Sequence, residues 1–236
     1  MPMSTYKKAD RTALSAKNIY DKGNWKLIIT YIALVLLLVI AIMSPPSTDY
    51  LVAIQEGGKP KGIDNLYDYF IPVLAAIIIC YAFFNDYQHN IYKILTFYTH
   101  RTFNFLLLRR FFRYIMPLTI GSFLTGMVYF RHISFLDIDS VLLSLRFVPN
   151  LLFLSALLLC ITVYSKNSFI GLFVTLTYVL IDFLSDSRIF DLLSIGANAN
   201  NFFYSFSPEY YYLNRALILF LSILFIFLAG KQAAKL

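Results

Sequence analysis

The sequence predicts an all-α integral membrane protein. Three observations predict it: six long apolar stretches, a composition that is 59% hydrophobic and only 14% charged over 236 residues, and basic residues gathered on alternate sides of those stretches. The stretches run over 27–43, 69–85, 114–130, 147–165, 167–181 and 216–230. A helix rises about 1.5 Å per residue, so crossing the hydrocarbon core takes roughly 17–25 apolar residues. The first four meet that length directly. The fifth and sixth meet it if Phe183–Leu184 and the run 210–213 extend them. Two regions follow, a cytoplasmic segment 1–26 and a six-helix transmembrane domain 27–236, with no room for a soluble nucleotide-binding domain.

The net charge of +7 is a matter of orientation. Fourteen of the twenty basic residues, among them Lys7, Lys8, Arg11, Lys93, Arg101, Arg109, Arg110, Arg113, Lys166 and Lys231, fall on one side of the six-span layout. Cytoplasmic loops carry the excess of Lys and Arg, which puts both termini in the cytoplasm of a multi-pass protein. A nucleic-acid partner is not expected. Recurrent Phe, Ile, Asn and Tyr suggest an AT-rich bacterial genome.

Taken in order, 4–26 alternates lysines with Tyr6, Leu14, Ile19, Tyr20 and Trp25, as expected of an amphipathic helix at the cytoplasmic surface with Trp25 at the headgroups. The first apolar run is too long for a signal-peptide core, and Ser44-Pro45-Pro46 is a poor cleavage site, so it reads as a retained span. Residues 44–68, with Pro45, Pro46, Gly57, Gly58, Pro60 and Gly62, read as an external turn-rich connector. Pro72, Pro117 and Pro149 each fall within about a turn of a span's start, where a missing backbone donor is best tolerated, and read as helix starts or gentle kinks.

Between spans two and three, Ile91, Ile94, Leu95 and Tyr98 recur at helical spacing. A break at Thr99-His100 follows, then a helix carrying Arg109, Arg110 and Arg113 into span three. Between spans five and six, 182–214 holds acidic residues, a Gly/Asn turn at 196–201 and an aromatic run, which fits short external or re-entrant helices better than a free loop.

Chemistry is sparse. There is no phosphate-binding Gly-x-x-x-x-Gly-Lys-Ser/Thr loop, no His-Glu-x-x-His, no Cys-x-x-Cys and no Gly-x-Ser-x-Gly. The chain is therefore not expected to be an enzyme by itself, nor to hold a cofactor or metal. Cys80 and Cys160 read as apolar filler. Asp182 is the only acid near a span interior. Arg146 either snorkels to the interface, pairs with Asp182 across the outer ends of two neighbouring spans, or marks a polar point on a path through the membrane. Gly121, Ser122, Thr125, Gly126, Ser155, Thr162, Gly171, Thr175 and Thr177 allow close helix packing or line a pore, with packing the simpler reading.

Six spans, cytoplasmic termini, an amphipathic helix before span one and a short helix between spans two and three together resemble the membrane subunit of a type-2 ABC exporter, the ABC-2 permease class of bacteria. The nearest local match starts at Asp86, passes through Ile94-Leu95-Thr96, ends at Thr99-His100-Arg101 and leads into Arg109-Arg110. Asn90-Ile91 and His100 depart from the commoner family residues. The resemblance implies a permease subunit moving an amphipathic or hydrophobic cargo (peptide, antimicrobial or lipid-like) out of the cell. It further implies a second permease subunit, identical or related, and a separate cytoplasmic ABC ATPase that binds ATP and Mg. That ATPase would touch a coupling helix through Asp86, His89, Tyr92, Lys93, Leu95, Tyr98 and Arg101. The alternative from the residues is a non-transporting scaffold or immunity protein that binds a peptide or lipid in the bilayer.

Overall fold

The computed structural model describes residues 25–46, 62–89, 91–93, 103–133, 138–196 and 208–235. Residues 1–24, most of the expected interfacial segment, lie outside this set, as do Leu95, Tyr98 and Arg101. The described residues form helices joined by turns, with no strand among them: α1 (Trp25–Met43), α2 (Gly62–Asn65), a wider turn (Leu66–Phe70) leading into α3 (Ile71–Gln88), α4 (Phe103–Tyr129), α5 (Ile138–Leu145), α6 (Phe147–Ser165), α7 (Ser168–Leu184) and α8 (Pro208–Ala233).

Among the described residues, five helical stretches are long and apolar enough to cross a membrane: Trp25–Met43, Leu66–Gln88, Phe103–His132, Val141–Ser165 and Tyr211–Ala233. This is the architecture of a multi-pass membrane protein. α7 is shorter, 17 residues, or roughly 25 Å against a hydrocarbon core of about 30 Å. It does reach through Phe183 and Leu184, and α8 begins above Tyr210, both as the sequence required.

α6 is the central helix. It touches α3, α4, α5, α7 and α8, and Leu154, Ala156, Leu158, Leu159 and Val163 on it are fully buried. Its turn into α7 is only two residues long. Lys166 takes a left-handed conformation (φ 55°) to stop α6, and Asn167 caps α7 by accepting the Phe169 amide at 2.9 Å. The two helices then run back to back, with Gly171 so close that a β-carbon there would lie 2.5 Å from Thr162 Oγ1 and 2.9 Å from the Leu158 carbonyl oxygen. Small residues in this pair serve contact between backbones.

α1 packs on α4 and is otherwise lipid-like in its exposure, with only Thr30, Leu37 and Ala41 buried. Arg131, just beyond α4, closes its far end by donating to the carbonyls of Ala41 and Ile42, each at 2.9 Å. Those carbonyls belong to the last turn of α1, where helix bonding leaves acceptors unfilled.

Of the three prolines, Pro72 and Pro149 sit in the first turns of α3 and α6, while Pro117 lies inside α4, which starts at Phe103. One expectation is corrected. The segment 62–70 is not a connector: it is helical and continuous with α3, with Asp64, Tyr67 and Asp68 buried.

Candidate functional site

Polar chemistry concentrates at the two ends of the bundle. At one end the last turn of α3 meets the first turns of α4. Asp86, 2% exposed, forms an ion pair with Arg110, whose guanidinium also lies 5.5 Å from the Phe83 ring centre. Beside it Tyr87, Tyr92 and Phe103 form a three-ring cluster, with centroids 5.8 Å apart for Tyr87–Tyr92, 5.6 Å for Tyr92–Phe103 and 6.1 Å for Tyr87–Phe103. All three rings are buried. Helical residues 91–93 are thereby held against both flanking helices. Of the residues expected to meet an ATPase, Asp86 and Tyr92 point inward and fasten the segment. His89 and Lys93 are exposed.

The opposite end holds a buried charge cluster. Arg146, 3% exposed, places Nη2 3.3 Å from Asp64 Oδ1 and 4.0 Å from Asp68 Oδ2, and both aspartates are fully buried. Its guanidinium also lies 4.8 Å from the Phe147 ring centre and 5.7 Å from that of Phe130. Asn150, one turn further along α6, ties three elements together. Its amide donates to Asp68 Oδ1 (2.8 Å) and to the Ile195 carbonyl (2.9 Å), while its oxygen accepts from Arg215 Nη1 (2.5 Å). Arg215 Nη1 also donates to the Arg146 carbonyl at 3.1 Å. Two carboxylates thus face two guanidiniums, the balance that lets ionised groups persist out of water.

Asp182 belongs to a neighbouring hub. Its Oδ2 accepts from Tyr69 Oη (3.1 Å), Ser194 Oγ (3.0 Å) and the Ile195 amide (3.1 Å). Gly196 makes room for this: a β-carbon there would come within 2.2 Å of both Tyr69 Oη and Ser187 Oγ. The ion-pair partners the structure gives Arg146 are therefore Asp64 and Asp68, while Asp182 meets hydroxyls and a backbone amide through Oδ2. The expectation that Asp182 is the only acid near a span interior is corrected by Asp64 and Asp68. The signal for them was present: Asp64 and Asp68 are four residues apart ahead of an apolar run, so a helix continued backwards from span two puts both on one face.

Among the described residues, no group of three or more His, Cys, Asp or Glu is arranged to hold a metal ion. Cys80 and Cys160 are free thiols, and Cys80 lies against the Ser168 carbonyl at 3.4 Å. No protein-family model, curated protein or solved structure matches this chain.

Proposed function

We propose that this chain is the permease subunit of an ATP-driven exporter of the type-2 ABC class, with α7 crossing the bilayer as a sixth span and both termini in the cytoplasm. The observation that supports this reading is the fastened junction between α3 and α4. A segment that receives a mechanical push must be tied to the helices it moves. The Asp86–Arg110 pair and the Tyr87–Tyr92–Phe103 cluster tie residues 91–93 to two long helices at once. The same side carries most of the basic residues, in keeping with a cytoplasmic face. In this reading His89 and Lys93 supply contacts to a separate ATPase, and Asp86 and Tyr92 hold the platform. Nucleotide-driven closure of paired ATPases would then rock the helices as rigid bodies between two orientations. The cargo is amphipathic or hydrophobic, and a second permease subunit completes the pathway.

The test is purification of the tagged chain from its native membranes in mild detergent, with mass spectrometry of what accompanies it. A stoichiometric ATPase, lost with Lys93→Glu while the purified chain keeps its melting temperature, is the expected result. A chain recovered alone, or with only a peptide or lipid bound, would sink the transport reading in favour of a passive binder.

A further inference from the structure

The outer face of α4 carries the observation that goes furthest. Successive residues of a helix turn by about 100°, so Phe105, Arg109, Phe112, Arg113, Met116 and Ile120 fall within an arc of about 100°. All six are exposed. Two arginines therefore stand on a face that is otherwise apolar. Their depth follows from the far end of the helix, where Arg131 closes α1. Arg113 and Arg131 are separated by about 27 Å of helix, close to the roughly 30 Å of a hydrocarbon core. Arg113 thus lies at the edge of the apolar layer, and Arg109, about 6 Å further out, lies among the headgroups.

Charge at this rim is out of balance. Lys26, at the start of α1, lies within electrostatic reach of Arg110 and Asp86. Lys26, Arg109, Arg110 and Arg113 thus gather around Asp86, the one carboxylate at this end among the described residues. Arg110 already occupies it. Arg109 has no hydrogen bond or ion pair among the described residues, and its side chain is exposed. The opposite end of the bundle differs on both counts, since Asp64 and Asp68 meet its arginines and all four are buried.

We infer that Arg109 and Arg113 hold the phosphate of one acidic phospholipid, in the leaflet at the basic end, with its acyl chains along Phe112, Met116 and Ile120. The apolar neighbours decide for lipid over a soluble partner: Phe105 and Phe112 flank Arg109, and the face runs on as apolar surface into the bilayer. Guanidiniums one turn apart reach phosphate oxygens from two sides. The surplus of positive charge decides for an acidic lipid, because a zwitterionic headgroup brings no net charge to offset it. The inference rests on the helices lying in a bilayer and is independent of ATP-driven transport.

The experiment is native mass spectrometry of the purified full chain, titrated in turn with dioleoyl phosphatidylglycerol and dioleoyl phosphatidylcholine. A juxtamembrane arginine strengthens the hold on an acidic lipid about fivefold, so wild type should prefer phosphatidylglycerol roughly twentyfold. Arg109→Gln should remove about fivefold of that preference, and Arg109→Gln/Arg113→Gln should bring the two lipids near parity. If the double variant lowers the melting temperature, Arg109→Gln alone, at an exposed position, carries the test. Lys166→Gln removes an exposed charge from the α6–α7 turn, beside Gln88 at the same end, and should leave the preference unchanged. Equal retention of the two lipids by wild type overturns the inference. So does an equal loss from Lys166→Gln and Arg109→Gln, which would make the attraction a diffuse one. Undiminished lipid preference in Arg109→Gln, with a co-purifying protein lost instead, would give the face to a protein partner and overturn it as well.

Discussion

Asn150 shows how much a single uncharged side chain can organise. It spends both amide donors and one acceptor site on three different partners, Asp68, Ile195 and Arg215, and so links the turn leading into α3, the segment before α8, and α8 itself. Asn150→Leu keeps the branched shape and removes every bond, leaving two charged partners undersatisfied. With membrane hydrogen bonds averaging about 0.6 kcal/mol and buried charged partners adding more, the loss should be roughly 2 kcal/mol or greater. A melting temperature in detergent lower by about 5 °C or more would show it; an unchanged value would mean the network is slack. Asp86→Ala is the matching case at the other end, stranding Arg110. Its cost should approach the roughly 3 kcal/mol of breaking a buried pair, and Asp86→Ala/Arg110→Ala should recover part of it. The sequence marked Arg146 and Asp86 as polar residues beside long apolar runs. What it could not convey was which carboxylate each arginine meets, because that depends on how far a helix continues past its apolar stretch.

At the scale of elements, the α6–α7 hairpin rests on Gly171. Its backbone faces Thr162 and the Leu158 carbonyl too closely for any side chain, and the carbonyl cannot rotate away. Gly171→Ala should therefore force the helices apart at a cost of about 1–3 kcal/mol, whereas Gly121→Ala, whose new methyl would meet only the movable end of Leu34, should cost less. Comparing the two melting temperatures tests whether contact with backbone or with side chain sets the penalty. Gly196→Ala makes a third comparison, since its methyl would displace Tyr69 from Asp182. The apolar runs announced the long helices because burial in lipid needs nothing but length and hydropathy. α5 was not anticipated, although Ile138, Val141, Leu142 and Leu145 keep helical spacing; eight residues among polar neighbours make a weak signal. The start of α4 was legible at its arginines, and a helix running through them into span three places Pro117 inside that helix rather than at its start.

For the molecule as a whole, the two polar ends differ in kind. One is an ion pair and an aromatic cluster beside exposed His89 and Lys93; the other is a closed network of Asp64, Asp68, Asn150, Arg146 and Arg215. The multi-pass architecture was legible because hydropathy and charge bias act over the whole chain. The closed network was not, because it gathers residues from positions 64 to 215 and no local pattern carries so long a separation. If the basic end receives force and the network end holds α3, α6 and α8 together, loosening the network should uncouple motion at the two ends. Asn150→Asp, which keeps the acceptor but adds a charge beside Asp68, is expected to lower export more than it lowers ATPase association. Equal loss of both would argue against such a division.

The two-residue turn at Lys166–Asn167 has a consequence for how the protein is made. α7 is the shortest of the long apolar helices and carries Asp182 near its end, so, if it crosses the bilayer as the proposed sixth span, it enters lipid less readily alone than its neighbours do. Because α6 precedes it with almost no slack, the pair is expected to leave the insertion machinery as one folded hairpin. A longer tether at this point, such as several glycines after Lys166, should leave α7 stranded outside the bilayer in a fraction of newly made chains, which a glycosylation tag placed after Leu184 would count.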